Sequence, residues 1–283
     1  MVIERQLSLG QLIAAELVVN AMFYGLTRLG KTLDNFYELV ASVDKIGYLQ
    51  DLPQETDHGT TPSHAESGYQ IAIQQLTVDK TPQTDDIKNL DLHLNPGDSL
   101  AISEGAERGT LLDLLFGLRA ASAGRICLDD HDLRDLSLGA LRDSISLVRD
   151  AEVINISIAN NVSVGRNLSL IEIRSALEQV GLLDLVSSLA DGLNTTLGLQ
   201  GQPLSPEQQL RLTLARAIAA KPRLLLIDKA LDCIEPCWRQ QILDHLLSAN
   251  RSWTLMVISH DLGVIAGCKR HVYLKQGQLQ EVR

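Results

Sequence analysis

The chain has 283 residues, 45% of them hydrophobic, enough apolar material to bury one full-sized domain and a smaller appendage, and too much for disorder over most of its length. Its 35 acidic and 25 basic side chains leave a net charge of -10, which argues against a nucleic-acid partner because phosphate backbones require a basic face. The four cysteines, Cys127, Cys233, Cys237 and Cys268, form no CxxC pair, and they read as ordinary cytosolic thiols rather than metal ligands.

The first predicted element is an apolar helix over residues 7–29, LSLGQLIAAELVVNAMFYGLTRL. Gln11, Glu16 and Asn20 fall inside it, and a carboxylate at mid-membrane is costly unless it faces other helices. Two readings stay open: an amphipathic helix packed on a partner or on the domain, and a membrane helix. The start lacks a basic region and a small-residue cleavage site, which argues against a signal peptide. Residues 55–67, ETDHGTTPSHAES, are polar with Gly and Pro and read as a linker.

Beyond the linker, short strands are predicted at 71–78, 89–94 and 99–102, with a turn at Asn95-Pro96-Gly97-Asp98. A helix at 111–118 follows, then a strand at 124–128, a helix at 133–142 and a strand at 144–148. A mostly helical block occupies 158–189. Helices at 206–220 and 236–249 then alternate with strands at 223–227 and 254–259, and a hairpin around Gly277 occupies 272–281. This alternation predicts a parallel sheet with helices on both faces.

Several stretches carry candidate chemistry. Between strand 100–102 and the helix at Leu111 lies Ser103-Glu104-Gly105-Ala106-Glu107-Arg108-Gly109-Thr110, the setting of a phosphate-binding loop. Such a loop has the pattern GxxxxGK(S/T): backbone N–H groups wrap the phosphates, the lysine reaches them and the hydroxyl holds Mg²⁺. Counted back from the helix, Arg108 stands at the lysine position, Gly109 at the first hydroxyl position and Thr110 at the second; Gly105 is the loop's other glycine. Glu104 and Glu107 place carboxylates where a triphosphate would lie, and Arg108 brings a planar fork in place of a point charge. A strand-to-helix turn that keeps only its shape is the competing reading.

The apolar run Leu224-Leu225-Leu226-Ile227 ends in Asp228, a candidate for Mg²⁺, followed by Lys229. A protonated lysine cannot serve as a base, and its ammonium could neutralise Asp228 in place of a metal. Asp150, after Ile145-Ser146-Leu147-Val148-Arg149, could also coordinate Mg²⁺ through oxygen. In Leu204-Ser205-Pro206-Glu207-Gln208, Ser205 as N-cap, Pro206 at the first helical position and Gln208 closing a capping box make a strong helix start, a role favoured over anion binding. His260 follows the apolar strand Leu255-Met256-Val257-Ile258-Ser259.

The stretch from Leu204 to Ala217, LSPEQQLRLTLARA, followed by Leu224 to Asp228, resembles the signature helix and Walker B strand of ATP-binding cassette (ABC) transporters, whose usual texts are LSGGQxQRLxLARA and four apolar residues with DE. Ser157-Ile158-Ala159-Asn160-Asn161-Val162 resembles the TIxENI of exporter cassettes. Residues 7–29 and Leu49-Gln50-Asp51-Leu52-Pro53-Gln54-Glu55 resemble the last transmembrane helix and its cytoplasmic extension in exporters of the type I secretion and bacteriocin kind. The resemblance implies an α/β, P-loop NTPase-like ABC cassette: a mostly parallel core sheet, an antiparallel β subdomain and a helical subdomain, preceded by a long N-terminal helix. It divides the chain into the end of a membrane domain at 1–54, a linker at 55–68 and a nucleotide-binding domain at 69–283.

In that family ATP and Mg²⁺ are the cofactors, a second cassette or exporter subunit is the partner in a homo- or heterodimer, and membrane-domain helices are contacted. The expected place is the cytoplasmic face of the bacterial inner membrane, or the cytoplasm if the first helix does not insert. The resemblance makes Asp228 the Mg²⁺ aspartate, Lys229 the substitute for the glutamate that activates water, Asp150 the substitute for a metal-contacting glutamine, and His260 the switch histidine that contacts the γ-phosphate. It places Glu235 at the D-loop aspartate. Ser205 and Gln208 are kept from the signature, while its two glycines have become Pro206 and Glu207. Residues 78–80 supply no aromatic ring for adenine. Coincident changes at 78–80, 104–109, 150, 206–207 and 229 imply a degenerate cassette with weak ATP binding and little or no hydrolysis, acting with a partner subunit. The alternatives are a transport ATPase working through Arg108, Thr110, Asp228 and His260, and an interaction module that needs no nucleotide.

Overall fold

Ser8 starts the first helix: its hydroxyl accepts from the Gln11 N–H while the Gln11 side chain accepts from the Ser8 N–H. The computed structural model describes residues 8–52, 55, 59–61, 67–80, 86–103, 108–249, 251–275 and 277–282. It forms two units, 1–56 and 57–283.

In the first unit, helix α1 (Leu9–Gln50) runs unbroken for 42 residues, about 63 Å at the usual rise, and buries none of them. It extends well past the predicted end at residue 29, because residues 30–50 contain no proline and supply good helix formers. By length and composition it is long and apolar enough to cross a membrane.

The second unit is built on two sheets. Strands β1 (Ile71–Val78), β2 (Ile87–Leu94), β4 (Ala123–Leu128) and β5 (His131–Asp132) form an antiparallel sheet in the order β2-β1-β4-β5. Strands β3 (Ser99–Ser103), β6 (Ile145–Val148), β7 (Leu224–Asp228), β8 (Thr254–Ile258), β9 (Arg270–Lys275) and β10 (Gln278–Val282) form the other, in the order β10-β9-β3-β8-β7-β6. All its neighbours pair in parallel except the β9–β10 hairpin. The central strands are buried from end to end, as expected where both faces of a parallel sheet are covered. Two apolar clusters result: Leu100, Ile102, Leu224 and Leu226 join the antiparallel unit, and Ala101, Leu225 and Ile227 join the helices.

Helix α2 (Arg108–Leu115) follows β3 and stops before the predicted residue 118, where Gly117 adopts a φ of 70°. The predicted helix at 133–142 resolves into a short 3-10 turn and α3 (Leu138–Ser144). The block at 158–189 becomes α4 (Ile158–Ser163), α5 (Leu170–Gln179) and α6 (Leu183–Ser188), broken by left-handed Val164 and Gly165 and by Gly181. Helix α7 (Pro206–Ala219) is buried over ten of its 14 residues and packs against α4 and α5. Helices α8 (Pro236–Leu246) and α9 (Leu262–Gly267) complete the unit.

Candidate functional site

Register at the carboxyl edge of the parallel sheet decides which side chains meet. Val148 of β6 lies opposite Ile227 of β7, so the residues that follow, Arg149 and Asp228, emerge side by side. Asp228 lies opposite Ile258 of β8, and Ile258 opposite Ile102 of β3, which brings the loop carrying His260 to the same edge. This is where open α/β sheets bind their ligands.

Arg149 occupies the centre of this edge. Its Nε donates to Asp228 Oδ2 at 2.8 Å, and its Nη2 donates to the Gly109 carbonyl at 3.2 Å and lies 2.7 Å from Asp113 Oδ1. The Asp113 Oδ1 contact is an ion pair without the alignment of a hydrogen bond. From the other side, Arg119 Nε donates to Asp113 Oδ2 at 2.8 Å. The side chains of Asp113 and Asp228 are only 12% and 14% exposed, so these attractions are weakly screened. Partial burial pulls the Arg149 pKa down, but its hydrogen bond to Asp228 and the nearby charges of Asp113 and Asp228 outweigh that and leave it raised.

The sequence candidates distribute unevenly around this cluster. Asp150, next in sequence to Arg149, is exposed. Lys229 is exposed in a left-handed conformation (φ 58°), donating its backbone N–H to Ile258 O, so the cation on Asp228 is Arg149 rather than Lys229. Gly105 and the two loop glutamates lie outside the described residues, as does the Arg108 side chain, although Arg108 opens α2. Thr110 is buried in the first turn of α2. Gly109 faces the cluster: a Cβ there would sit 3.8 Å from Asp228 Oδ2, in ordinary contact. The position where the family resemblance calls for a hydroxyl therefore approaches Asp228 but has no side-chain oxygen to give.

His260 is exposed at the end of β8, and its backbone N–H donates to Asp232 Oδ2 at 2.9 Å. The hydroxyl of Ser259 donates to the other Asp232 oxygen. Asp232, rather than Glu235, thus ties the segment after β7 to the histidine loop; Glu235 precedes α8 and makes no side-chain cap. At the signature stretch, Ser205 Oγ accepts from Gln208 N–H and Gln208 Oε1 accepts from Ser205 N–H, with Pro206 opening α7. Both side chains are engaged in capping. Arg211, one turn on, is turned inward: it donates to the Val180 and Gly181 carbonyls and stacks 4.7 Å from the Trp238 ring centroid.

Mg²⁺ does not fit the residues present. It demands a near-octahedral set of oxygen ligands and sheds its water reluctantly, whereas the Asp228 carboxylate is bound to a guanidinium and Gly109 lacks a hydroxyl. Among the described residues no group of three His, Cys, Asp or Glu side chains gathers at metal-binding distance. The four cysteines are free thiols. Arg149, Asp113, Arg119 and Asp232 carry the geometry of the edge, and sequence reasoning did not single them out. One signal was available: an arginine immediately after a buried strand, in register with an aspartate that also ends a strand.

A parallel sheet with its loops gathered at the carboxyl edge, an antiparallel β unit on one face and a helical unit around a capped, buried helix define an ABC-type cassette. The ABC transporter profile matches residues 87–232, more than half of the chain, which therefore belongs to that family. It is 31% identical over 280 residues to the ATP-dependent lipid A-core flippase of Thiobacillus denitrificans, covering 97% of this chain and 48% of that protein. It is 27% identical over 288 residues to the alpha-hemolysin translocation ATP-binding protein HlyB of Escherichia coli, covering 99% of this chain and 40% of that protein. The chain thus spans about half the length of the curated relatives it matches, or less. In fold it is similar to a bacterial Atm1-family ABC exporter solved with ATP bound, with a TM-score of 0.78 at 24% identity, covering 98% of this chain and 50% of that one.

Proposed function

We propose that this chain, an exporter-type ABC ATP-binding domain by fold and family, is a degenerate cassette: it takes nucleotide weakly, turns over little or none, and acts beside a competent cassette and membrane-domain helices at the cytoplasmic face of the membrane. The observation that carries this reading is the Asp228–Arg149 ion pair at 2.8 Å, with exposed Lys229 next in sequence where a general base is needed. A well-placed base contributes about 10²–10⁴ in rate, and lysine in its protonated form contributes none of it. The signature supports the same reading, since Ser205 and Gln208 are bonded to each other across the start of α7 and Pro206 has no N–H to donate. The exposed apolar helix α1, long enough to span a membrane, supports the membrane-facing assignment.

Phosphate release from Mg-ATP by the full chain tests the reading. We expect background release from the wild type and also from Lys229→Glu, because Arg149 and Gly109 oppose catalysis independently of residue 229. Turnover restored by Lys229→Glu alone would show the rest of the site to be competent and contradict the proposal.

A further inference from the structure

We propose that Arg149 is a built-in cation standing in for a divalent metal, and that the Asp228–Asp113 site is closed to Mg²⁺ for as long as its guanidinium is in place. The inference concerns metal alone and holds whether or not nucleotide binds. Three observations converge on it. The β6–β7 register, Val148 opposite Ile227, places residue 149 beside Asp228 at the edge of the sheet, so the backbone brings the two within reach of each other. One guanidinium then spans two carboxylates from separate elements, with Nε on Asp228 and Nη2 beside Asp113, and also satisfies the Gly109 carbonyl in the first turn of α2. The planar fork of arginine suits such bridging in a way a lysine ammonium does not.

The third observation is charge balance. Asp113 and Asp228 contribute two negative charges, and Arg149 and Arg119 two positive ones, so the cluster presents no net negative charge to an approaching dication. With the carboxylates 12% and 14% exposed, Mg²⁺ would have to expel the guanidinium and shed its own water, with no hydroxyl from residue 109 to replace it. Removing Arg149 reverses each term: two neighbouring carboxylates are left half-neutralised and open to a small hard cation.

The test is made on the full chain with metal alone. Mn²⁺ is titrated and the free ion followed by electron paramagnetic resonance, and melting is recorded in MgCl₂ against KCl of matched ionic strength. For the wild type we expect no protein-dependent loss of the Mn²⁺ signal and the same melting temperature in both salts. Arg149→Gln should show protein-dependent loss of the Mn²⁺ signal, with an affinity at least about 10-fold above the wild type's detection limit, within the range by which groups contacting metal ligands change affinity. It should also melt lower in KCl and be rescued by MgCl₂, whereas a purely structural loss would show no such rescue. Adding Asp228→Asn to Arg149→Gln should abolish the gained binding. If Arg149→Gln does not fold, Arg149→Lys, which keeps the charge but cannot bridge both carboxylates, should still gain Mn²⁺ affinity. The proposal is overturned if the wild type binds Mn²⁺ and Asp228→Asn removes that binding, or if no folded Arg149 variant gains divalent affinity.

Discussion

At the scale of single residues, two arginines make inward-facing contacts, Arg149 and Arg211. Arg149 pairs with Asp228 at the edge of the sheet, and Arg211, on the signature helix α7, has a side chain only 5% exposed. It donates to two main-chain carbonyls and lies over Trp238, while Glu207 approaches it at 3.3 Å without aligned hydrogen bonding. Burial lowers its pKa, partly offset by the charge of Glu207. Arg211→Ala should lower unfolding stability in a denaturant titration by about 2–4 kcal/mol, because it strands buried carbonyls and removes a desolvated cation–π contact. Arg211→Met, which keeps the stem, should recover only the packing part. A loss below about 0.5 kcal/mol for the alanine variant, the level of an ordinary surface change, would contradict the structural role.

At the scale of elements, α7 gives the signature text a structural reason of its own. The helix is buried on nearly every side, and its Arg216 donates to the Asn161 carbonyl at 2.7 Å and to Asn161 Oδ1 at 3.1 Å. Asn161, itself fully buried, holds the Ile154, Ile156 and Ser157 carbonyls. The retained residues of the signature and of the TIxENI-like stretch are therefore parts of one packed unit, with reasons to stay that do not involve nucleotide. Ser205→Ala should reduce stability by about 1 kcal/mol, the usual contribution of an N-cap, and leave the response to nucleotide unchanged. A variant with wild-type stability but altered nucleotide binding would give Ser205 the anion-binding role instead.

The capping box, the parallel sheet and the closing hairpin were legible in sequence because each depends on local pattern: Ser205 with Gln208 three residues on, apolar runs flanked by turns, and Gly277 between two short strands. Helix ends at 117, 164 and 181 were less legible, since left-handed residues there cut what composition alone shows as continuous helix. The Arg149–Asp113–Asp228 cluster was not legible. Its members are 36 and 79 residues apart along the chain, and only the register of β6 on β7 brings them together.

At the scale of the whole molecule, one unit has the architecture of an ABC cassette with an Arg149–Asp228 ion pair at the edge of its parallel sheet, and the other is a 42-residue helix with no buried residue. Both apolar clusters and the buried α7 hold the cassette together through contacts within the chain, and on the proposed reading nucleotide adds little to them. A calorimetric titration of Mg-ATP into the full chain tests this most directly. The account predicts no heat at micromolar nucleotide, with binding weaker than that range and indifferent to Mg²⁺, and micromolar Mg-ATP affinity that is lost on chelating the metal would contradict it.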